Sequence, residues 1–236
     1  MHQKNIIALC LILGICSQGF SFEVDQTYFQ MSTKGLDSKH TLTLKNDRNE
    51  KRYITVEVVE RTWNSKKNTE ERLPTQDLKL SEKSFVLQPM AETKLTLDWA
   101  GSAQIKAEKA YRLIITEVKN QQKENVGEMK APLVQYIASV FVTPENAKDD
   151  IKLVKSAVTD NSKVEITLTN AGSKHKLLSE SGLVIQDTKD KNFQQKYPRL
   201  EAFQQLVLMP GQTKTITVPT EMNWKNKKIT VSILNE

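Results

Sequence analysis

At 236 residues the chain is long enough for one large or two ordinary domains with real hydrophobic cores. Its formal charge of +6 is mild and spread along the chain, without the concentrated basic stripe and interleaved aromatics of a nucleic-acid surface. Both cysteines, Cys10 and Cys16, lie in an N-terminal segment expected to be removed, and with no cysteine and only His40 and His175 beyond it there is neither a disulfide framework nor the inventory for a thiolate or multi-histidine metal site.

Lys4 precedes an apolar run from Ile6 to Cys16, and small and polar residues follow through Ser21. That order matches the charged, apolar and cleavage regions of a secretory signal, and the run is too short to span a bilayer. Gly19 and Ser21 are suitably small at the third and first positions before a cut, so cleavage is placed before Phe22. Ile15 and Leu9, ahead of Cys16 and Cys10, are poor neighbours for a lipid-modified cysteine. Lys4 is the only charge within residues 1–21, so its loss takes +6 to +5, and both cysteines leave with it. No later run approaches membrane-spanning length, so no membrane insertion is expected.

From Phe22 onward short strands alternate with polar turns. They are expected near Glu23 to Gln30, Lys39 to Lys45, Tyr53 to Trp63, Ser84 to Gln88, Thr93 to Trp99 and Ala110 to Lys119. Thr41-Leu42-Thr43-Leu44 and Lys94-Leu95-Thr96-Leu97 alternate polar with apolar, the mark of strands buried on one face. A seventh and longer strand runs from Leu133 through Val134, Tyr136, Ile137, Ala138 and Ser139 to Thr143, closed by Pro144. Its even positions, Val134, Tyr136, Ala138, Val140 and Val142, form an unbroken apolar row, whereas the odd positions are mixed. Such a strand is either plain core or a strand that projects past its sheet and offers its edge to another chain. Seven strands in about 120 residues fit an immunoglobulin-like sandwich.

The polar run 145–150 reads as a linker, after which the pattern restarts. Leu42-Thr43-Leu44-Lys45-Asn46 is echoed by Ile166-Thr167-Leu168-Thr169-Asn170, and Val86-Leu87-Gln88-Pro89 by Val207-Leu208-Met209-Pro210. The interval from asparagine to valine is 40 positions in the first copy and 37 in the second. The fold class expected is therefore all-β: a signal peptide over 1–21, one sandwich over 22–144, a linker over 145–150, and a shorter second sandwich over 151–236. After Ile216 to Val218 a single clear strand, Lys228 to Leu234, remains, so the second sandwich is expected to lack a last strand.

Enzyme chemistry has no inventory here. Past the leader only His40 and His175 remain, and there is no glycine-rich phosphate loop and no GxSxG nucleophile turn. Pairs such as Glu70-Glu71 read as solvated turns, and His175 between two lysines reads as structural or exposed. No cofactor is expected.

The chain resembles the periplasmic chaperones of chaperone-usher pilus assembly over its whole mature length. The resemblance rests on Val24-Asp25, the run Thr41 to Asn46, Phe85-Val86-Leu87-Gln88-Pro89, the block Glu108-Lys109-Ala110-Tyr111-Arg112-Leu113-Ile114-Ile115-Thr116-Glu117, and Val140-Phe141-Val142-Thr143-Pro144. The second half, with Leu168 to His175 and Leu208 to Gln212, is similar to the branch serving spore-coat-U-like pilins. The resemblance implies two immunoglobulin-like domains set at an angle, residence in the periplasm, and two partners, a pilus or fimbrial subunit and an outer-membrane usher. It also implies that the last strand of the first domain is lent to the subunit, an established case of strand addition. That assigns donor roles to Leu133, Val134, Tyr136, Ile137 and Ala138, with Val134 and Tyr136 foremost. Better-known members bind the subunit's C-terminal carboxylate with an arginine on the first strand and a lysine on the donor strand. Those positions fall here on Tyr28 and Ser139, neither cationic, and Arg112 on the preceding strand is the candidate replacement, with a structural ion pair as its other reading. An exported immunoglobulin-like adhesion or structural protein without donor activity is the alternative function.

The leader reading predicts a mature protein that begins near Phe22 and contains no thiol. Intact-mass measurement of the exported protein checks this, and a retained Cys16, with or without lipid, refutes it.

Overall fold

The computed structural model describes residues 22–64, 67, 69–118, 134–199 and 206–235. The expected leader over 1–21 and the donor candidate Leu133 lie outside the described residues.

Alternating burial along the strands builds two separate cores. The first ten strands are β1 (Glu23–Val24), β2 (Tyr28–Ser32), β3 (Lys39–Lys45), β4 (Arg52–Asn64), β5 (Thr69–Pro74), β6 (Leu78–Leu80), β7 (Ser84–Leu87), β8 (Glu92–Trp99), β9 (Lys109–Val118) and β10 (Val134–Thr143). One sheet runs β1-β3-β8-β6, and the other runs β2-β10-β9-β4-β5 with β7 paired to β4. Their facing sides bury Leu42 and Leu44 of β3, Leu95 and Leu97 of β8, Tyr111, Leu113 and Ile115 of β9, and Ala138, Val140 and Val142 of β10. Pairing every second residue with the interior is what the threonine-leucine alternation encodes.

Two expectations need correction. The first strand is not continuous: β1 pairs antiparallel with β3 in one sheet, and the chain then crosses so that β2 pairs parallel with β10 in the other. Changing sheets lets one segment close the side of a sandwich, but the crossing at Asp25 to Thr27 interrupts the ladder. The strands β5 and β6 were not foreseen, because Thr-Glu-Glu-Arg-Leu-Pro lacks apolar alternation and takes its place by edge pairing with β4.

The second sandwich comprises β11 (Ile151–Asp160), β12 (Lys163–Asn170), β13 (Lys176–Leu177), β14 (Ser181–Asp187), β15 (Gln194–Tyr197), β16 (Val207–Leu208), β17 (Thr213–Pro219) and β18 (Ile229–Asn235). Its sheets run β11-β12-β17 and β15-β14-β18, with β13 paired to β16. Val164, Ile166 and Leu168 face Leu183, Ile185, Val231 and the fully buried Trp224. Among the described residues β18 is the last strand.

The repeated landmarks are one physical device used twice. Asn46 and Asn170 are both wholly buried at the end of a strand. Asn46 donates its side-chain amide to the carbonyls of Glu50 (2.7 Å) and Gln88 (3.0 Å), and Asn170 donates to those of Lys174 (2.7 Å) and Leu208 (3.0 Å). Each Oδ1 accepts the N–H two residues on, from Arg48 and from Gly172. Opposite each lies a turn in which proline precedes a left-handed residue, Met90 at φ 52° and Gly211 at φ 71°, whose N–H returns to Arg48 and to Asn170. The asparagine thereby satisfies main-chain carbonyls that the turn would otherwise bury unpaired.

Asn46→Ala and Asn170→Ala are each expected to destabilise their own sandwich by about 1–3 kcal/mol, the usual cost of orphaning buried acceptors. Hydrogen exchange resolved by domain checks this: each variant should lose protection in one core and keep it in the other, and an equal loss in both cores counts against the local role.

Candidate functional site

The long strand β10 is covered unequally. Along β9 it pairs without a break from Val134 opposite Glu117 to Val142 opposite Lys109. Along β2 it pairs only from Ser139 to Thr143, and Ser139 opens that side by donating its N–H to Thr27 at 2.9 Å. Main-chain groups alternate sides along a strand, so those of Ile137 and Gln135 aim the same way as those of Ser139. Among the described residues no strand lies beside them. Val134 to Ala138 is therefore an open sheet edge.

The expected projection of Val134 and Tyr136 beyond the sheet is corrected by this register. The even row faces one interior throughout, so both side chains pack partly on the first core that buries Ala138, Val140 and Val142. Tyr136 lies 4.8 Å from the ring of Phe22 and donates its hydroxyl to the Phe22 carbonyl at 2.5 Å. Both remain at the rim. Tyr136 lines a groove of about 360 Å³ with Glu23, Val24 and Lys45, between the edges of the two sheets. On the other face of β10, Ile137 is 38% exposed.

One row of the outer face carries the three anchor candidates: Tyr28 is the neighbour of Ser139, and Ser139 the neighbour of Arg112. Only two of them meet. Arg112 donates from Nη1 to Ser139 Oγ at 2.5 Å, whereas the Tyr28 hydroxyl turns toward the second sandwich. Arg112 also grips Glu70 with Nε and Nη2, at 3.2 and 3.1 Å. The reading of Glu70 as a solvated turn residue is thus corrected, since it sits on β5 and also pairs with Arg61 at 2.6 Å and Arg72 at 3.7 Å. Three guanidinium groups share one carboxylate. Lys214 of the second sandwich stands 5.1 Å over the Trp63 ring, its basicity pushed down by burial and by the charge of Arg61. Burial, then the charge of Arg112, does the same to Arg61. The cleft holds more cations than anions.

Where the sandwiches meet, Phe141 of β10 stacks on His175 with ring centres 4.0 Å apart. Glu108, just before β9, accepts from the His175 main-chain N–H at 3.1 Å, from its Nδ1 at 2.6 Å and from Thr143 Oγ1 at 2.7 Å. His175 Nε2 meets the Tyr28 hydroxyl at 2.9 Å. Gly172 sits so close to the Lys148 carbonyl and Asp150 that a Cβ there collides with main chain. The sequence reading of His175 as structural or exposed resolves to buried, but nothing in the sequence ties it to Glu108, 67 positions away. Among the described residues no cluster of potential metal ligands occurs.

Burial works to raise the Glu70 carboxyl, yet the hydrogen bond from Arg112 and the charges of Arg61 and Arg112 hold it below the ordinary glutamate range. A folded value below the unfolded one stabilises the fold above the unfolded pKa, and that contribution fades as pH falls through the folded value. Wild-type protein should therefore melt above Glu70→Gln at neutral pH, with the gap closing below about pH 4. Melting curves across that range check the sign, and a gap that widens in acid refutes the pairing.

No family model matches the sequence, and no curated protein matches it. Solved structures do match. A chain from the chaperone-tip adhesin complex of CFA/I fimbriae biogenesis shares 13% identity at a TM-score of 0.58, over 92% of this chain and 99% of that one. A chain from the CsuC-CsuE chaperone-tip adhesion subunit complex of the archaic chaperone-usher Csu pili of Acinetobacter baumannii shares 14% at 0.58, over 92% and 99%. A chain from the Salmonella enterica SafA pilin complex with the SafB chaperone shares 14% at 0.52, over 86% of each. Across most of its length this chain has the two-sandwich fold of the fimbrial chaperones.

Proposed function

We propose that this protein is a periplasmic chaperone that holds pilus or fimbrial subunits by adding a strand of its own to them and delivers them to an outer-membrane usher, with no enzymatic step. The observation that carries this reading is the open edge of β10 from Val134 to Ala138, set beside a cleft with surplus cations. The neighbours with this fold are described as chaperones of a tip adhesin and of a pilin, which supports the same partner class. The proposed working units are residues 22–144 and 151–236, joined by 145–150. No helix among the described residues is long and apolar enough to cross a membrane.

The physical division of labour follows from magnitudes. Gln135 and Ile137 offer main-chain donors and acceptors, each net hydrogen bond contributing only about 0.5–1.5 kcal/mol. Further affinity must come from apolar surface, at roughly 25 cal/mol per Å² covered. Val134 and Tyr136, half-buried at the rim, with Ala138 behind them and Ile137 on the outer face, supply it, and Leu133 is proposed as a further donor residue. Arg112 and Ser139 are the proposed carboxylate anchor, with Tyr28 as the neighbouring hydroxyl. A strand whose C-terminal carboxylate ends at that row, while its preceding residues lie along Ile137 and Gln135, runs parallel to β10. The exported structural protein remains the second reading, favoured by the commitment of Arg112 to Glu70.

Proline separates the readings. Ile137→Pro removes an N–H that faces the open edge, so β9 pairing and the free fold survive while strand addition fails. Ala138→Pro removes a ladder bond to β9 and should unfold the first sandwich. Co-expression with a pilus subunit that lacks its own final strand supplies the readout. A soluble complex with wild type, lost with Ile137→Pro at unchanged melting temperature, is the expected result; retention of the complex by Ile137→Pro would overturn the donor reading.

A further inference from the structure

Tyr28 occupies the anchor row, and its hydroxyl is engaged by His175 Nε2. Three donors converge on Glu108, namely the His175 main-chain N–H, His175 Nδ1 and Thr143 Oγ1, so Glu108 is the acceptor and Nδ1 carries a proton. In a neutral imidazole the other nitrogen then bears only a lone pair. The Tyr28 hydroxyl, 2.9 Å from Nε2, must donate its one proton there, while Gln30 donates to the Tyr28 oxygen at 3.1 Å. A carboxylate arriving at Tyr28 finds oxygen lone pairs, which repel it. Turning the hydroxyl outward leaves Nε2 unpaired in a residue only 4% exposed.

Protonation resolves the conflict. We infer that His175 is a proton-coupled positioning residue of the subunit anchor: uptake of one proton from solvent on Nε2 reverses the bond, so that the ring donates to the Tyr28 oxygen and frees the Tyr28 proton for the subunit's carboxylate. No other bond is made or broken. The imidazolium formed is countered by Glu108 on one side and stacked on Phe141 on the other. Among the described residues the charges acting on Tyr28 are Glu108 and Glu180, and Lys176 faces Asp149 at 3.9 Å. Burial, with Glu108 and Glu180, keeps the Tyr28 hydroxyl protonated, so it remains a donor throughout. Subunit capture is thereby linked to proton uptake, and by reciprocity acidification tightens capture. This rests on the carboxylate-anchor reading above.

The mature protein holds two histidines, His40 and His175, which a His40→Gln variant distinguishes. The test is nitrogen-resolved NMR of the imidazoles, with an acetylated hexapeptide of alternating valine and threonine as probe, supplied as free acid and as amide. The expected result has the neutral His175 proton on Nδ1, and the free acid, but not the amide, moves the protonation midpoint of His175 to higher pH. Free-acid affinity should be about tenfold greater below that midpoint than above it, the value of one hydrogen bond. Tyr28→Phe should still bind the acid at the Arg112 guanidinium but lose the pH dependence. A neutral His175 protonated on Nε2, or an acid that perturbs Arg112 with the His175 titration unmoved, overturns the inference alone. Acid and amide binding alike, with Arg112 silent, overturns the anchor reading and the inference with it.

Discussion

One strand has two sides, and the partners of β10 differ in length. Pairing with β9 runs from Val134 to Val142 and locks the register, whereas β2 begins only opposite Ser139. From this inequality most of the arrangement follows. Beyond Ser139 the strand is interior, with Val140, Phe141 and Val142 fully buried, and before it no strand among the described residues pairs with that side. Sheet edges of this kind are usually blunted by charge, proline or a covering loop. Here the edge carries Gln135 and Ile137, neither charged nor proline, which accords with a protein whose use depends on being paired.

The same register sets the electrostatics of the cleft. Arg112 lies opposite Ser139 on one side and Val59 on the other, on the outer face of the sheet. Three guanidinium groups converge on Glu70 because β4 and β5 place Arg61 and Arg72 as direct neighbours. A single carboxylate cannot offset them, and like charges at short range in a partly dry site depress one another. Charge-assisted bonds are roughly twice as strong as neutral ones, so in the proposed anchor Arg112 would contribute more than the hydroxyls of Tyr28 and Ser139.

The junction of the two sandwiches is built from parts of both. Asn170 closes its own turn and also holds Gly172 and Asp150, which bring the segment from Lys148 against Ser173. That places His175 on Phe141, the residue of β10 that stacks against the second sandwich. One aromatic contact and one hydroxyl join this junction to the row of Tyr28, Ser139 and Arg112.

The sequence by itself determined the elements that depend on local pattern. Alternating threonine and leucine set which faces are buried in β3 and β12, and the paired asparagine and proline landmarks announced two copies of one sandwich before their hydrogen bonds were visible. The placement of Arg112 beside residue 138 or 139 was also legible, because an antiparallel register between neighbouring strands is constrained by the hydrophobic row, and the structure pairs it with Ser139. What the tertiary structure alone decided were the relations between distant residues. Only the switch of sheet between β1 and β2 decides where the edge of β10 opens, and no local pattern records where a chain changes sheets. Glu70 looked like a solvated turn residue and His175 like a structural or exposed one because their neighbours in sequence are polar, yet their neighbours in space are arginines, an aromatic ring and a buried carboxylate. Charge pairing acts through distance in three dimensions, and that distance exists only once the sheets have formed.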